Sequence, residues 1–145
     1  MYKKILIATD GSPHSEEAEK HGLTMAMRSG ASVTALYVVE GIHSPKTIGS
    51  PASLLLDEQI EALKEEAQRI VENVVKKGNE MGVEVTPMVA EGHPAHEIIE
   101  HAKDFDLVVV GTLGRSGVSH LLLGSVAEKV VRHASVPVLV VKTKT

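Results

Sequence analysis

Five apolar runs recur along the chain, and segments with a helical spacing of apolar residues separate them. The runs are rich in Val, Ile and Leu, which is typical of strands buried on both faces. They span residues 5–8, 32–39, 83–89, 106–110 and 137–141. The intervening segments predict helices, which begin at Pro13, Ser53, Pro94 and Ser125. Strands that alternate with helices favour an α/β fold in which helices cover both faces of a parallel sheet.

Local signals indicate where these helices begin and end. Ser12 precedes Pro13, so we expect the Ser12 side chain to cap the first helix and Pro13 to be its first residue. Gly30 is predicted to end that helix. The second helix has apolar residues three or four positions apart until it stops near Gly82, which predicts one face packed on the sheet. Residues 40–51 contain glycines and prolines and predict a loop.

Two turns with binding chemistry follow the first and fourth strands. The first is Asp10-Gly11-Ser12, and the second begins at Gly111. Ligands of open parallel sheets bind beyond the carboxyl ends of the strands, where the strand order reverses. If the first and fourth strands are neighbours there, the order is 3-2-1-4-5. An order of 2-1-3-4-5 would instead bring the turn at Gly92 to that point, and this turn is poor in hydrogen-bond donors.

Composition narrows the class of protein and its partners. The 145 residues fit a single domain, and the formal net charge is -4. This charge, together with two Tyr, one Phe and no Trp, argues against a nucleic-acid binder, which would use cations and aromatic stacking. The absence of cysteine excludes disulfides and thiol chemistry. No apolar run reaches the length of a signal peptide or a membrane span, so we expect a cytoplasmic protein with no membrane partner.

A glycine-rich loop follows the fourth strand and leads into the last helix. It contains Gly111, Gly114, Gly117 and Gly124, and Ser125 opens the helix. Glycines let backbone N–H groups approach an anion, and the helix N-terminus adds further donors and the positive end of its dipole. The spacing is neither the Walker motif, which needs a Lys before the Ser or Thr, nor the dinucleotide fingerprint G-x-G-x-x-G. The loop therefore predicts a phosphate site of another kind.

The spacing G-x2-G-x9-G-S that ends at Ser125 resembles the nucleotide-binding motif of the universal stress protein family. The segments ILIATDGS, ALYVV and VPVLVV are similar to that family too, so the resemblance covers residues 1–145 as one domain. It implies a single-domain Rossmann-like fold with the order 3-2-1-4-5, a bound adenine nucleotide and a homodimer. It also implies that Asp10 contacts the nucleoside and that Val38 meets the adenine ring.

We therefore expect ATP at this site, with Mg²⁺ carried by the nucleotide and held by its phosphates, Ser125 and water. The predicted nucleotide-binding residues are Ala8, Thr9, Asp10, Val38, Val110, Gly111, Thr112, Gly114, Arg115, Gly124, Ser125 and Val126.

Structural alternatives exist for several of these residues. Asp10 is also suited to an Asx-turn. Ser125 and Glu128 form a capping-box pattern that needs no ligand. The glycines also fit an ordinary irregular turn, and Arg115 also fits a solvated loop. Leu113 departs from the polar residue common in the family, so we expect no polar contact from it.

We expect neither catalytic residues nor a resident metal site. His93, His96 and His101 lie close together in sequence, but a solvated amphipathic helix explains them better than a metal centre. His120 is the base that the glycine loop offers, and no carboxylate stands in line to orient it. Any hydrolysis of ATP should therefore be slow.

Three functions are compatible with these features: a cytoplasmic ATP-binding regulator of the stress response, a slow nucleotide-hydrolysing or transferring enzyme, and a nucleotide-free dimeric scaffold. The intact glycine set favours the first over the third, and the missing base favours it over the second. In the order 3-2-1-4-5 the strand from Pro137 to Val141 is an uninterrupted apolar edge. We expect it to pair with the same strand of a second copy.

Overall fold

The computed structural model describes residues 1–40, 51–113 and 123–142, with the backbone alone for residues 51–56. Strands and helices alternate through these residues, as predicted. The strands are β1 (Lys4–Ala8), β2 (Ser32–Val39), β3 (Val85–Glu91), β4 (Leu107–Gly111) and β5 (Val138–Val141). The helices are α1 (Pro13–Ser29), α2 (Pro51–Glu80), α3 (Pro94–Ala102) and α4 (Ser125–His133).

The described strands form one parallel sheet in the order β3-β2-β1-β4-β5. This confirms the predicted order and excludes 2-1-3-4-5. β1 lies in the centre, where Ile7 pairs with Ala35 of β2 on one side and with Val109 of β4 on the other. The strand order therefore reverses between β1 and β4. Their carboxyl ends meet at the place where such sheets bind ligands.

Two aliphatic cores cover the two faces of the sheet. Successive side chains of a strand point to opposite faces. Ile5 and Ile7 of β1 accordingly pack with Val71 in the core under α1 and α2. Leu6 faces the other way and belongs with Val130 to the core under α3 and α4. The protein thus has three layers, with the sheet between two pairs of helices.

The ends of α1 follow the local sequence signals in position but not in every contact. Pro13 is the first helical residue, and Gly30 ends the helix with a φ of 72°, as predicted. Ser12 occupies the N-cap position, yet its side chain makes no capping hydrogen bond. That prediction is wrong because the Ser12 hydroxyl donates to Asp10 instead.

Two boundaries near α2 differ from those predicted. The helix begins at Pro51 rather than Ser53, so Pro51 is helical and not part of a loop. Residues 41–50 of the predicted loop lie outside the described residues. β3 begins at Val85 rather than at residue 83. The reason is that the Val83 N–H donates to the Gly78 carbonyl at 2.8 Å, which continues the hydrogen bonding of the helix end.

Candidate functional site

A cavity of about 420 Å³ opens at the carboxyl ends of β1, β2 and β4. The first residues of α3 and α4 line its sides. Cavities of roughly 300–1,000 Å³ hold small-molecule ligands. The predicted site residues that line it are Ala8, Thr9, Asp10, Val38, Val110, Gly111, Thr112, Gly124, Ser125 and Val126. Gly114 and Arg115, which were also predicted, lie outside the described residues, as does His120.

The N-terminus of α4 forms one wall of the cavity. Gly124 is the N-cap and Ser125 is the first helical residue. The capping box considered for Ser125 is therefore wrong, and Glu128 instead accepts a hydrogen bond from Arg132 at 2.7 Å. Glycine has no side chain that could cap the helix. The first N–H groups of α4 are consequently suited to an anion in the cavity.

Backbone hydrogen bonds close the base of the glycine loop. The Gly124 N–H donates to the Thr112 carbonyl at 2.7 Å, and the Thr112 N–H donates to the Val141 carbonyl at 3.0 Å. The N–H groups of Thr112 and Gly124 are therefore used within the protein. Of the predicted residues here, Ser125 and Val126 hold the N–H groups that are best placed for a ligand.

Gly111 ends β4 beside the start of α1. A Cβ at this position would lie 3.2 Å from the carbonyl oxygen of His14 and 3.6 Å from that of Leu113. The first distance is tighter than most real Cβ contacts, so the glycine allows β4 and α1 to pack closely. The phosphate interpretation of the loop did not include this packing role. Both roles require a small residue at this wall of the cavity.

Asp10 follows β1 in a tight turn at the cavity. Its Oδ1 accepts hydrogen bonds from the Ser12 N–H at 2.9 Å and from the Ser12 hydroxyl at 2.6 Å. The Asx-turn considered for this residue is therefore present. Gly11, between them, has a φ of 76°, in the left-handed region that favours glycine. Asp10 also lines the cavity, so the turn holds the residue in place there.

The Thr9 side chain makes contacts that the sequence pattern did not reveal. Thr9 is 6% exposed, and its hydroxyl donates to Oε2 of Glu19 at 2.5 Å and lies 3.0 Å from the Ser15 hydroxyl. Lys77 of α2 donates to Oε1 of Glu19 at 2.8 Å. The sequence held one sign that Ser15 and Glu19 are buried near Thr9: they lie four residues apart, on the same face of α1 as Ala18.

The side of the cavity beside β2 is mostly apolar. Val38 of β2 lies there with Pro94 and Ile98 of α3, and Ala8 and Val110 continue the surface. Walls of this kind suit the flat face of a heterocyclic base. The two α3 residues were not predicted, because α3 follows β3, an edge strand at some distance from the glycine loop. They reach the cavity because the segment that contains α3 crosses β2 and β1 on its way from β3 to β4.

The family model for the universal stress proteins matches residues 1–142. The chain belongs to the universal stress protein family. Universal stress protein MJ0531 of Methanocaldococcus jannaschii is 47% identical over 144 residues, which cover 98% of this chain and 83% of the relative. The solved structure of MJ0577, also from M. jannaschii, has a TM-score of 0.85 at 34% identity and covers 100% of this chain and 99% of its own. A universal stress protein crystallised in complex with cAMP has a TM-score of 0.73 at 28% identity, and 99% of each chain is covered.

These comparisons confirm the family resemblance and the Rossmann-like fold.

Within the described part of this universal stress protein, no three His, Cys, Asp or Glu side chains come together as a metal site. On α3, His101 Nε2 lies 3.8 Å from Glu97 Oε1. Lys103 donates to Glu100 at 2.9 Å, and this hydrogen bond lowers the pKa of Glu100 below its usual value. None of the helices described is long and apolar enough to cross a membrane.

Proposed function

We propose that this universal stress protein binds ATP with Mg²⁺ and acts in the cytoplasm as a nucleotide-dependent regulator of the stress response. The observation that carries the proposal is one cavity lined both by the N-terminus of α4 and by apolar residues of β2 and α3. The N-terminus of α4 offers backbone donors for phosphate, and the end between β2 and α3 offers apolar walls for a base. The relative crystallised with cAMP supports an adenine nucleotide as the class of ligand.

In this proposal the phosphates lie at the α4 end of the cavity. The N–H groups of Ser125 and Val126 bind phosphate oxygens. Gly111 and Gly114 let the loop backbone approach them, and Arg115 adds a charge-assisted hydrogen bond. At the other end, the nucleoside contacts Asp10, which follows β1, and the adenine packs on Val38 of β2. The remaining walls are Ala8, Thr9, Val110, Thr112 and Gly124.

The residues present fit a magnesium ion that arrives with the nucleotide. Mg²⁺ prefers oxygen ligands and usually keeps several waters when it binds phosphates. Ser125 supplies a hydroxyl at the cavity, and this side chain does not cap α4. The ion would neutralise part of the phosphate charge, while Ser125 and the phosphates hold it.

The cavity suits a regulator that binds ATP better than an enzyme that hydrolyses it. The carboxylates among its described lining residues are Asp10 and Glu40. Asp10 accepts two hydrogen bonds from Ser12, so it is a poor base for activating water. Glu40 is exposed and directly follows β2, on the other side of β1 from β4 and the N-terminus of α4 where the phosphates are proposed to lie. Hydrolysis should therefore run far below the roughly 1–10³ s⁻¹ of ordinary enzymes.

We further propose that residues 1–145 form one domain and that two copies of the chain form the working unit. The copies would join through the edge strand that begins at Pro137 and ends at Val141. β5 is the outer strand of the described sheet, which leaves its free edge for such pairing.

Replacing Gly114 with Val tests the phosphate site. The β-branched side chain would block the approach of the loop backbone to phosphate, so the Kd for ATP should rise at least tenfold, about 1.4 kcal/mol. Isothermal titration calorimetry with Mg²⁺ and ATP measures this change, and mass spectrometry of nucleotide released from the purified protein tests occupancy in cells.

Gly82→Asn is the matched control for this experiment. Gly82 has a φ of 76° and open space around its Cβ position, and Asn tolerates this conformation. It lies between α2 and β3, at the opposite end of the sheet from the cavity, so the control should bind ATP as the parent does. A folded Gly114→Val protein with the parent's affinity would refute the phosphate site.

A further inference from the structure

A buried carboxylate connects the turn at the cavity to both helices on one face of the sheet. Glu19 of α1 is 3% exposed. Its Oε2 accepts the Thr9 hydroxyl at 2.5 Å, and the Ser15 hydroxyl lies 3.4 Å away. Its Oε1 accepts a hydrogen bond from Lys77 Nζ at 2.8 Å. Both carboxylate oxygens therefore have donors, one beside the cavity and one from α2.

The direction of these hydrogen bonds orients the turn. Because the Thr9 hydroxyl gives its hydrogen to Glu19, its oxygen is left to accept the Gly11 N–H, which lies 3.2 Å away. That bond spans Asp10, the residue proposed to contact the nucleoside. The carboxylate of Glu19 thus sets the orientation of Thr9, and Thr9 in turn holds the backbone on the far side of Asp10.

The second helix supports the same turn. A Cβ on Gly11 would lie only 2.7 Å from Cδ1 of Ile70, so α2 packs directly on the turn. Lys77, on the same helix, balances the charge of Glu19. A buried carboxylate without such a partner would be strongly destabilising, whereas apolar residues of similar size could replace the whole pair at little cost. Stability alone therefore does not require a charged pair here.

We propose that Glu19 is a positioning residue for the nucleotide site. It acts through the Thr9 hydroxyl to hold Asp10 in its binding geometry, and Lys77 holds the Glu19 side chain in place through its hydrogen bond to Oε1. This role rests on the proposed function, since the ligand it serves is the nucleotide. The coupling also runs in reverse, because a nucleotide bound against the turn stabilises its contact with α2.

The double variant Glu19→Leu with Lys77→Met tests this role. It leaves the net charge unchanged and fills the same space, so it removes the carboxylate that accepts the Thr9 hydroxyl without leaving a buried charge. We expect the Kd for ATP to rise at least tenfold in calorimetry, with the variant still folded. Amide exchange of Gly11, followed by NMR in the ligand-free protein, should become at least tenfold faster, because the Thr9 hydroxyl that accepts this N–H is no longer oriented by Glu19.

Two further variants separate positioning from folding. Thr9→Val keeps the shape of the side chain but removes the hydroxyl, and should reproduce both effects. Thr9→Ser restores a hydroxyl and should return the affinity and the Gly11 exchange to within about twofold of the parent. Lys64→Met, which removes an exposed charge elsewhere on α2, should change neither.

The outcomes are distinguishable. Unchanged ATP affinity, or unchanged Gly11 exchange, in a folded double variant would overturn the role of Glu19. If the parent itself does not bind ATP, the proposed function fails. The rate of Gly11 amide exchange then tests by itself whether Glu19 positions the turn, since that measurement needs no ligand.

Discussion

Asp106 illustrates at the scale of single residues how one carboxylate can join distant segments. It directly precedes β4, and its Oδ2 accepts hydrogen bonds from the N–H groups of Lys3 and Lys4 at 2.9 Å each. These two hydrogen bonds lower the pKa of Asp106 below its usual value. The side chain thereby ties the start of β1 to the start of β4, the two strands whose other ends form the cavity.

The lowered pKa predicts a dependence of stability on pH. The ionised form of Asp106 is favoured in the folded protein, so its contribution is present above the unfolded pKa of about 3.9 and is lost as the pH falls through the lower folded pKa. Asp106→Asn should reduce the free energy of unfolding in urea at pH 7, and this difference should shrink as the pH falls to about 3. Asp104→Asn, at an exposed carboxylate two residues away, is the control. An equal loss at both pH values would contradict the prediction.

The position of α1 on the sheet depends on a glycine in the middle of the helix. A Cβ on Gly22 would lie 2.5 Å from Cδ1 of Ile7, a distance that real Cβ atoms essentially never show. Glycine within a helix costs about 1 kcal/mol relative to alanine. At Gly22, however, the missing side chain lets α1 lie close to β1. This contact places Ser15 and Glu19 within reach of Thr9 at the cavity.

Gly22→Val tests this contact. The added side chain overpacks the core between α1 and β1, so the free energy of unfolding should fall by about 1–3 kcal/mol. Denaturation in urea measures the change. Lys20→Val, at an exposed site on the same helix, is the matched control, because it introduces the same side chain without the clash. Equal effects of the two substitutions would show that α1 is not held close to the sheet by Gly22.

The two edges of the sheet differ at the scale of the whole molecule. β3 has an exposed Pro87 within the strand, and proline interrupts pairing with another chain. β5 has no such protection, and Val138, Leu139 and Val140 are half-buried along it. The apolar edge therefore favours β5 for pairing with a second copy.

The proposed homodimer predicts a dimer in sedimentation equilibrium at micromolar concentration. Antiparallel pairing of two β5 edges would satisfy their free N–H and C=O groups. Deletion of residues 137–145 should give a monomer or an aggregate. Deletion of residues 143–145 alone removes polar residues beyond the strand and should leave the dimer intact. A parent protein that is monomeric at this concentration would refute the assembly.

The sequence by itself determined the number, type and approximate bounds of the elements. Apolar periodicity depends on neighbours within one element, and end signals such as Pro13 and Gly30 act within one turn. The positions of α1, α3 and α4 followed from these local rules. The glycine spacing that ends at Ser125 likewise indicated the family, because a motif is a property of consecutive residues.

The tertiary structure decided how distant residues meet. The binding turns and the family resemblance predicted the strand order, but the pairing of β1 with β4 that produces it is a long-range contact that local propensity does not encode. The link between Glu19 and Lys77 joins side chains 58 residues apart in the chain, so no local pattern announced it. Gly111 likewise acquired its packing role only when α1 came to lie beside β4. These contacts are made across the sheet and between helices, where burial and close approach depend on the whole fold and a residue's neighbours in sequence have little influence.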